Sequence, residues 1–350
     1  MGVRGVLVVR PRGEDELVPL VGSRFSAAMP IANEALVRYG ARSLRQAGVG
    51  SVIVAGPPAA REEMLAALGD DHGLDLEWAD VEHRGAALLP DAAAALAAAA
   101  PLLGDENAVV HFADTLSLTP LGPLVEEAGA ADVLLAGPEG SPAESPVVSL
   151  SDHRERRKEP ALPSVAPARI ALLSPAAVEA AAGLPPEAAL HDVALAVSRA
   201  GGSSQQRLLR GVWSCSGTVD GVLEANRLVL DAIEGEVEGA DLSSARVDGR
   251  VRVHPTAVLD RTTVRGPATI GPGTVLVDTF IGPYTAIGDN VRLEGTEIEY
   301  SIVLRGASIR HPGRRLEASL VGQDASVSRD FALPSSLRLR VGRRADISLT

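Results

Sequence analysis

The residues that could do chemistry in this sequence are few and far apart. Asp114 stands at the carboxyl end of an apolar stretch, 108–112, where ligands bind in open α/β sheets; alternatively it caps a helix that follows. Cys215 is the only cysteine, which excludes an internal disulfide and a cysteine-rich zinc site. It is either a reactive thiol or a small buried residue. The seven histidines show no spacing that is typical of a metal site.

Alternating strand and helix patterns surround Asp114 and indicate how it is positioned. Strands separated by helices predict a mostly parallel, Rossmann-like α/β sheet with helices on both faces. Ligands in such folds bind beyond the carboxyl ends of the strands, which is where Asp114 falls. The predicted strands are 5–9, 51–55, 108–112 and 132–136, and the predicted helices are 33–46, 61–68, 86–103 and 220–233.

Residues 247–309 carry an apolar residue at about every sixth position, with Gly or Pro nearby. Val247 and Val253 are six residues apart, as are Val264 and Ile270, and Gly271 and Gly288 each directly follow an aliphatic residue. A period of six fits neither a helix nor an alternating strand. It is typical of a parallel β-helix, so we predict two domains, 1–240 and 241–350.

The charge and amino-acid composition of the chain exclude some classes of binding partner. The net charge is −12, of which residues 1–240 carry −15 (18 basic, 33 acidic) and the remainder +3 (15 Arg, 12 acidic). An acidic N-terminal domain with only 3% aromatic residues in the chain argues against nucleic-acid binding. The first apolar run is too short for a signal peptide, and no charge-free apolar window spans a membrane. We therefore expect a cytoplasmic protein without membrane contact.

Four stretches resemble the sugar-1-phosphate nucleotidylyltransferases, in particular the long glucose-1-phosphate thymidylyltransferases with a left-handed β-helix tail. The tail match, RGPATIGPGTVLVDTFIGPYTAIGDNVRLEGTEIEYSIVL (265–304), is the most extensive. GTVDGVLEANRLVLDAI (217–233) resembles the helix that follows the family's WxDTGT motif. The other two are MPIANEALVRYGARSLRQAGV (29–49) and VVHFADTL (109–116), the latter resembling a strand that ends in a metal-binding aspartate.

The resemblance implies nucleotidyl transfer, in which a sugar-1-phosphate oxygen attacks the α-phosphate of a nucleoside triphosphate and pyrophosphate leaves. Such chemistry depends on positioning and charge neutralisation. By the same resemblance Asp114 would hold Mg²⁺, and Gly85 and Lys158 would contact a nucleotide or sugar phosphate. Mg²⁺ is the only cofactor expected, and only if the protein is active.

The sequence departs from the family pattern at the phosphate and metal positions. Arg10 and Pro11 replace the paired glycines after the first strand, and three carboxylates at 14–16 replace a segment that carries an arginine. The three carboxylates would face a triphosphate, and two like charges about 4 Å apart interact unfavourably by on the order of 4 kcal/mol at an effective dielectric of 20. Further family positions, namely a lysine, the second metal aspartate, the sugar-binding Gly and Tyr, and a glutamate, fall on Ser26, Cys215, Arg169, Ala171 and Ala189.

These losses predict a nucleotidylyltransferase homologue with a degraded site that acts as a nucleotide-sugar-binding, regulatory or scaffolding subunit, so no catalytic residue is assigned. The alternatives are an active enzyme that uses an unusual sugar-1-phosphate, and an enzyme rebuilt for another reaction in the same cleft. A further alternative is an acyltransferase, because hexapeptide-repeat acyltransferases use a histidine between coils. His254 and His311 are the only histidines in the tail of this sequence, and each precedes or lies in a predicted turn. Because a β-helix leaves long faces uncovered, we expect a homo-oligomer, or a hetero-oligomer with an active homologue.

Overall fold

The structure is a computed structural model that describes residues 2–11, 17–82, 91–126, 131–138, 168–237 and 242–329. Gly85, Lys158 and the acidic residues 14–16 lie outside these ranges, as does the predicted domain boundary near 240. In the described ranges, no helix has the length and apolar character that crossing a bilayer requires.

The N-terminal part is built around one seven-stranded sheet with strand order β10-β8-β9-β6-β1-β4-β5. Neighbouring strands are parallel except around β9, which runs antiparallel to β6 and β8. In chain order the elements are β1 (Val3–Val8), α1 (Val18–Val21), β2 (Pro30–Ile31), β3 (Glu34–Ala35), α2 (Leu36–Gln46), β4 (Ser51–Gly56), α3 (Arg61–Leu68), β5 (Asp75–Asp80), α4 (Ala92–Leu103), β6 (Asn107–Phe112), β7 (Thr115–Ser117), α5 (Gly122–Glu126), β8 (Val133–Pro138), β9 (Ile170–Leu173), α6 (Pro175–Ala182), α7 (Leu190–Arg199), β10 (Ser204–Leu209), β11 (Val212–Ser214) and α8 (Val219–Ala232).

The central strands are buried on both faces, which explains their continuous apolar character. Val6 and Val8 belong to one apolar cluster under α4, and Leu7 and Val9 belong to another under α2 and α3. Two separate cores therefore hold β1 in place, and the residues that follow β1 leave the sheet from a rigid support.

Two predicted helices begin later than expected. The helix predicted at 86–103 begins at Ala92, because Asp91 has non-helical backbone angles and caps it. The pattern at 33–46 predicts a helix from Asn33, but α2 begins at Leu36 because β2 and β3 form a tight antiparallel hairpin immediately before it. The hairpin turns through Ala32 and Asn33, which both have positive φ (46° and 68°). Two adjacent residues in the left-handed region match a two-residue hairpin turn and cannot start a right-handed helix.

The C-terminal part is a β-helix with three parallel sheets, one on each face. Register partners Val247, Val264, Ile281 and Ile298 follow one another at intervals of 17 residues, and Leu316 follows after 18. The strands are β12 (Ala245–Asp248), β13 (Val251–Val253), β14 (Val258–Asp260), β15 (Thr262–Arg265), β16 (Ala268–Ile270), β17 (Val275–Val277), β18 (Phe280–Ile281), β19 (Thr285–Ile287), β20 (Arg292–Glu294), β21 (Glu297–Glu299), β22 (Ile302–Val303), β23 (Ser308–Arg310), β24 (Leu316–Glu317), β25 (Leu320–Val321) and β26 (Ser326–Ser328).

The two parts share a packed junction. Leu36 and Leu223 of the N-terminal part lie in the same buried cluster as Ile302 and Leu304 of the β-helix. The fully buried Asn226 of α8 accepts a hydrogen bond from the Ala32 backbone N–H (2.9 Å), and its Nδ2 donates to the Tyr284 carbonyl (3.1 Å). The predicted fold class, a mostly parallel α/β sheet followed by a left-handed parallel β-helix, is confirmed.

Candidate functional site

The parallel register brings Arg10 and Asp114 to one edge of the sheet. Val8 is paired with Phe112, and the Ala113 N–H donates to the Val8 carbonyl at 2.9 Å. Arg10 and Asp114 therefore follow neighbouring strands by two residues each and emerge side by side at the carboxyl edge.

Asp91 and Arg169 reach the same edge from more distant segments. Helix α4 connects β5 to the parallel strand β6, so its N-terminus must lie at the carboxyl edge, and Asp91 caps it by accepting the Ala92 N–H at 2.8 Å. Strand β9 runs in the opposite direction, so its beginning lies at this edge as well. The Arg169 carbonyl accepts the Phe112 N–H at 3.0 Å and fixes the position of Arg169.

The four side chains form a compact charged cluster, which we call the edge quartet (Arg10, Asp91, Asp114, Arg169). Arg10 is its centre: Nη2 donates to Asp114 Oδ2 at 2.8 Å, and Nη1 donates to Asp91 Oδ2 at 3.1 Å. Arg169 Nη1 lies 3.7 Å from the same Asp91 oxygen. Both guanidinium groups lie against the buried Phe112 ring, 4.9 and 5.0 Å from its centroid.

The electrostatics match this geometry. Burial disfavours the charged form of Arg10, but Asp114 and Asp91 outweigh burial, so the pKa of Arg10 is raised. Burial and the nearby charge of Arg10 lower the pKa of Arg169. Two positive and two negative groups together leave the edge quartet without net charge, so it offers no excess positive field to a triphosphate.

In the described part of the chain, the cavity next to Arg10 and Asp91 is small. The cavity bounded by Arg10, Pro11 and Asp91 has a volume of about 20 Å³, enough for about one water molecule. Asp114 Oδ1 and the Nε atoms of Arg10 and Arg169 are buried without a hydrogen-bond partner in the described part of the chain.

As the described residues are placed, those at this edge are not arranged to hold Mg²⁺. By the resemblance, Mg²⁺ would bind to the Asp114 carboxylate. One oxygen of that carboxylate, Oδ2, already accepts a hydrogen bond from the Arg10 guanidinium. A cation brought to within about 4 Å of that guanidinium is repelled by on the order of 4 kcal/mol per unit charge at an effective dielectric of 20. Among the described residues, no group of three or more His, Cys, Asp or Glu side chains is placed to hold a metal ion.

The structure brings some of the predicted positions together and not others. The Cys215 N–H donates to the Asp114 carbonyl at 2.9 Å, so the two positions at which the resemblance predicts metal aspartates are adjacent. Asp114 caps no helix, because strand β7 follows it and pairs with β11. Ser26 begins a short 3₁₀ helix, Ala171 is buried in β9, and Ala189 precedes α7.

Sequence reasoning did not identify Asp91 as a site residue, and it treated Arg10 and Arg169 only as losses. The available signal for Asp91 was its place before an alanine-rich helix, which indicates a helix cap. Its ion pair with Arg10 spans 81 residues, and the Arg10–Asp114 pair spans 104, so neither leaves a local pattern. The positions predicted to bind substrate, Gly85 and Lys158, lie outside the described residues.

Curated relatives match along nearly the whole chain. A glucose-1-phosphate thymidylyltransferase from Streptomyces griseus is 32% identical over 349 residues, covering 95% of this chain and 96% of the relative. A second glucose-1-phosphate thymidylyltransferase, from Streptomyces antibioticus, is 28% identical, and the match covers 98% of this chain and 99% of the relative. A low-salt glycan biosynthesis nucleotidyltransferase from Haloferax volcanii is 30% identical, and the match covers 99% of this chain and 100% of the relative. No protein-family model matches.

Among solved structures, a crystal structure named as a glucose-1-phosphate thymidylyltransferase from Bacillus anthracis, in complex with sucrose, superposes with a TM-score of 0.52. The match covers 67% of this chain and 98% of that chain at 16% identity. At this identity the likeness concerns the fold alone.

Proposed function

The chain belongs to the glucose-1-phosphate thymidylyltransferase family of sugar nucleotidylyltransferases, and within that family we propose that it is a non-catalytic member that acts as a regulatory or scaffolding subunit. The observation that carries the proposal is the Arg10 guanidinium, which donates to both Asp114 and Asp91 at the edge where the reaction would occur.

Three features of the edge support the loss of catalysis. The two carboxylates closest to the reaction centre are neutralised by protein cations rather than left open for a metal. Cys215 stands beside Asp114 where the family places its second aspartate, and Mg²⁺ prefers oxygen ligands. Pro11 removes a backbone N–H from the segment that would hold the phosphates.

An active nucleotidylyltransferase that makes a nucleotide sugar from an unusual sugar-1-phosphate is the second candidate. The near-full-length identity to proteins named as glucose-1-phosphate thymidylyltransferases favours it. It would require Mg²⁺, with Asp114 released from Arg10 to bind the ion. Catalytic competence then depends on whether the edge quartet opens when nucleotide is present.

Pyrophosphate release by the purified full chain separates the two. The assay would use dTTP, glucose 1-phosphate and Mg²⁺, with the Streptomyces griseus relative as positive control. We expect no release above the protein-free blank with this nucleotide or with the other common triphosphates. Mg²⁺-dependent release that is lost in Asp114→Asn but kept in Asp278→Asn, an exposed carboxylate of the β-helix, would overturn the proposal.

Substitution of Arg10 tests directly whether its guanidinium keeps a metal ion from Asp114 and Asp91. Arg10→Gly removes the guanidinium and restores the residue type that the family pattern has there, so Asp114 and Asp91 lose their main counter-charge. We expect this variant to bind Mn²⁺, detected by electron paramagnetic resonance, more tightly than the parent chain does. Equal Mn²⁺ binding by both proteins would mean that Arg10 does not block the metal position.

A subunit role also requires a partner. The β-helix presents long faces, and we propose that the chain forms a homo-oligomer or pairs with an active homologue. Light scattering after gel filtration measures the first arrangement, and co-purification with a co-expressed active homologue measures the second. A strictly monomeric protein that changes no homologue's activity would contradict the subunit role. A cytoplasmic location stays a prediction.

A further inference from the structure

A second and larger cavity lies at the junction between the N-terminal part and the β-helix. This junction cleft has a volume of about 250 Å³ and shares no lining residue with the cavity at the edge quartet. Domain junctions are preferred places for small-molecule sites, and drug-sized pockets measure about 300–1,000 Å³. The junction cleft therefore suits a ligand at the small end of that range.

One wall of the cleft is a column of turns in the β-helix. Asp289, Arg305 and Gln323 follow β19, β22 and β25, which are consecutive strands of one face. The Gly306 N–H donates to the Asp289 carbonyl (2.9 Å) and the Asp324 N–H donates to the Arg305 carbonyl (3.0 Å), so the turns stack. Adjacent strands lie about 4.8 Å apart, which spreads the three side chains over about 10 Å.

The opposite wall comes from the N-terminal part and is held against the column by direct contacts. Asn33 Nδ2 donates to the Ile287 carbonyl at 2.6 Å, and the Gln323 N–H donates to the Leu20 carbonyl at 3.0 Å. Gly322 approaches Leu20 so closely that a Cβ there would lie 3.0 Å from the Leu20 carbonyl oxygen. The cleft is thus formed before any ligand arrives.

The polar side chains that face the cleft have unused hydrogen-bonding groups. In the part of the chain that the structure describes, Glu63, Asp289, Arg305 and Gln323 make no side-chain hydrogen bond or ion pair. By contrast, Arg261 on the β-helix surface is paired with Asp260 and Asp278. Two carboxylates, one amide and one guanidinium offer both acceptors and donors.

Such a mixture matches a ligand with many hydroxyl groups, because each hydroxyl both donates and accepts. The two carboxylates, Glu63 in the N-terminal wall and Asp289 in the β-helix wall, disfavour a polyphosphate, whose charge they would repel. Val21, Ala28 and Pro30, which line the cleft and are half-buried, supply an apolar surface for the C–H groups of a sugar ring. We propose that the junction cleft binds a monosaccharide, either free or as a sugar phosphate, with Asp289 and Gln323 bonding to ring hydroxyls and Arg305 facing an anionic substituent.

This proposal does not depend on whether the edge quartet is catalytic, and its test does not measure turnover. Isothermal titration of the full chain with D-glucose and with glucose 1-phosphate is expected to give saturable binding. Asp289→Ala combined with Gln323→Ala should weaken binding of both ligands at least about tenfold, since each lost hydrogen bond to a charged or desolvated group has a large effect. Arg305→Gln should weaken only glucose 1-phosphate.

The matched control is Asp278→Ala, which removes a carboxylate from another face of the same β-helix and should leave both affinities unchanged. Circular dichroism checks that each variant is folded. Absence of saturable binding of either sugar up to about 10 mM would overturn the proposal. So would binding that survives the Asp289 and Gln323 substitutions but is lost in Asp114→Asn, since the sugar would then lie at the edge quartet.

Discussion

The carboxyl edge of the sheet and the β-helix are both built around strands, yet they use their side chains in opposite ways. At the edge, four charged residues from separate segments converge and cancel one another. In the β-helix, each coil repeats the same apolar position, so Val264, Ile281 and Ile298 stack in one interior column. At the edge both carboxylates, Asp91 and Asp114, are paired with Arg10, whereas the interior column of the β-helix is wholly aliphatic and buried.

The difference lies in how polar groups are satisfied. In the β-helix, buried threonines such as Thr274 and Thr296 donate to nearby backbone carbonyls, so they are accommodated beside the aliphatic column. Under the proposed loss of catalysis, no substrate needs the space beside Asp114, and protein side chains can occupy it. The Arg10 guanidinium does this by bonding to both carboxylates and lying on the Phe112 ring, which stabilises the edge without a ligand.

The largest expected effect is in the β-helix interior. Ile281 is fully buried between Val264 and Ile298, so Ile281→Ala removes apolar contacts and leaves a cavity. We expect the free energy of unfolding to fall by about 2–5 kcal/mol in urea denaturation. Val258→Ala, at a position that is 53% exposed, is the control and should change little. Equal effects at the two positions would contradict the idea of a packed interior column.

Next in size is the pH dependence that arises from His111 of β6. Complete burial lowers the pKa of His111 to about 4, despite the nearby Asp114 and a 2.9 Å contact between Nδ1 and the Phe112 carbonyl. The unfolded chain takes up this proton near pH 6.5, so stability contributed by neutral His111 is lost as the pH falls from about 6.5 to 4. The total is about 3 kcal/mol at 1.4 kcal/mol per pKa unit.

Urea denaturation at a series of pH values measures this loss. Wild type and His111→Asn are compared so that carboxylate titrations common to both cancel. The variant should show a weaker decline between pH 6.5 and 4, whereas His254→Gln, at an exposed turn, should follow wild type. Parallel curves for wild type and His111→Asn would mean that His111 titrates normally in the fold.

A smaller effect is expected from the edge quartet itself. Arg10 and Asp114 are 22% and 11% exposed, and a double-mutant cycle with Arg10→Gln and Asp114→Asn isolates their interaction. We expect a coupling free energy of about 1–3 kcal/mol, typical of a charged hydrogen bond at a mostly buried site. Additive single substitutions would show that the pair contributes nothing to stability and would weaken the case for Arg10 as a substitute cation.

The smallest effect is expected at the surface pair between Arg261 and Asp278. Arg261 Nε lies 2.6 Å from Asp278 Oδ1, but both side chains are exposed and solvent screens their attraction. The same double-mutant cycle with Arg261→Gln and Asp278→Asn should give a coupling too small to distinguish from zero. A coupling as large as that of the edge pair would erase the contrast between buried and exposed charges.

How far the sequence could predict the fold depends on how local the pattern is. The six-residue period identified the β-helix because each coil is specified by residues close in the chain. Helix 61–68 was predicted with the observed bounds, whereas α2 was extended back to Asn33 because the positive φ of Ala32 and Asn33 leaves no hydrophobic pattern. A β-turn of this kind is specified by tertiary contacts with α8 as well as by its own residues.

The site was predictable only in part. The family resemblance predicted a metal role for Asp114 and placed a second metal position at Cys215; the structure puts these two residues side by side, and the metal role stays a prediction. The partners of Asp114 come from segments that only the sheet topology brings together, so no spacing rule could pair Arg10 with Asp91. The roles of Gly85 and Lys158 stay predictions.

The amide of Asn226 also bears on the order in which the protein can be completed during synthesis. Its Oδ1 partner, the Ala32 N–H, is made long before α8, but its Nδ2 partner, the Tyr284 carbonyl, follows 58 residues after it. A growing chain that has just released α8 from the ribosome must wait for the coil that contains Tyr284 before this buried amide is satisfied. The Asn226 amide therefore reaches its native set of hydrogen bonds only after the coil that contains Tyr284 has been made and has packed beside α8.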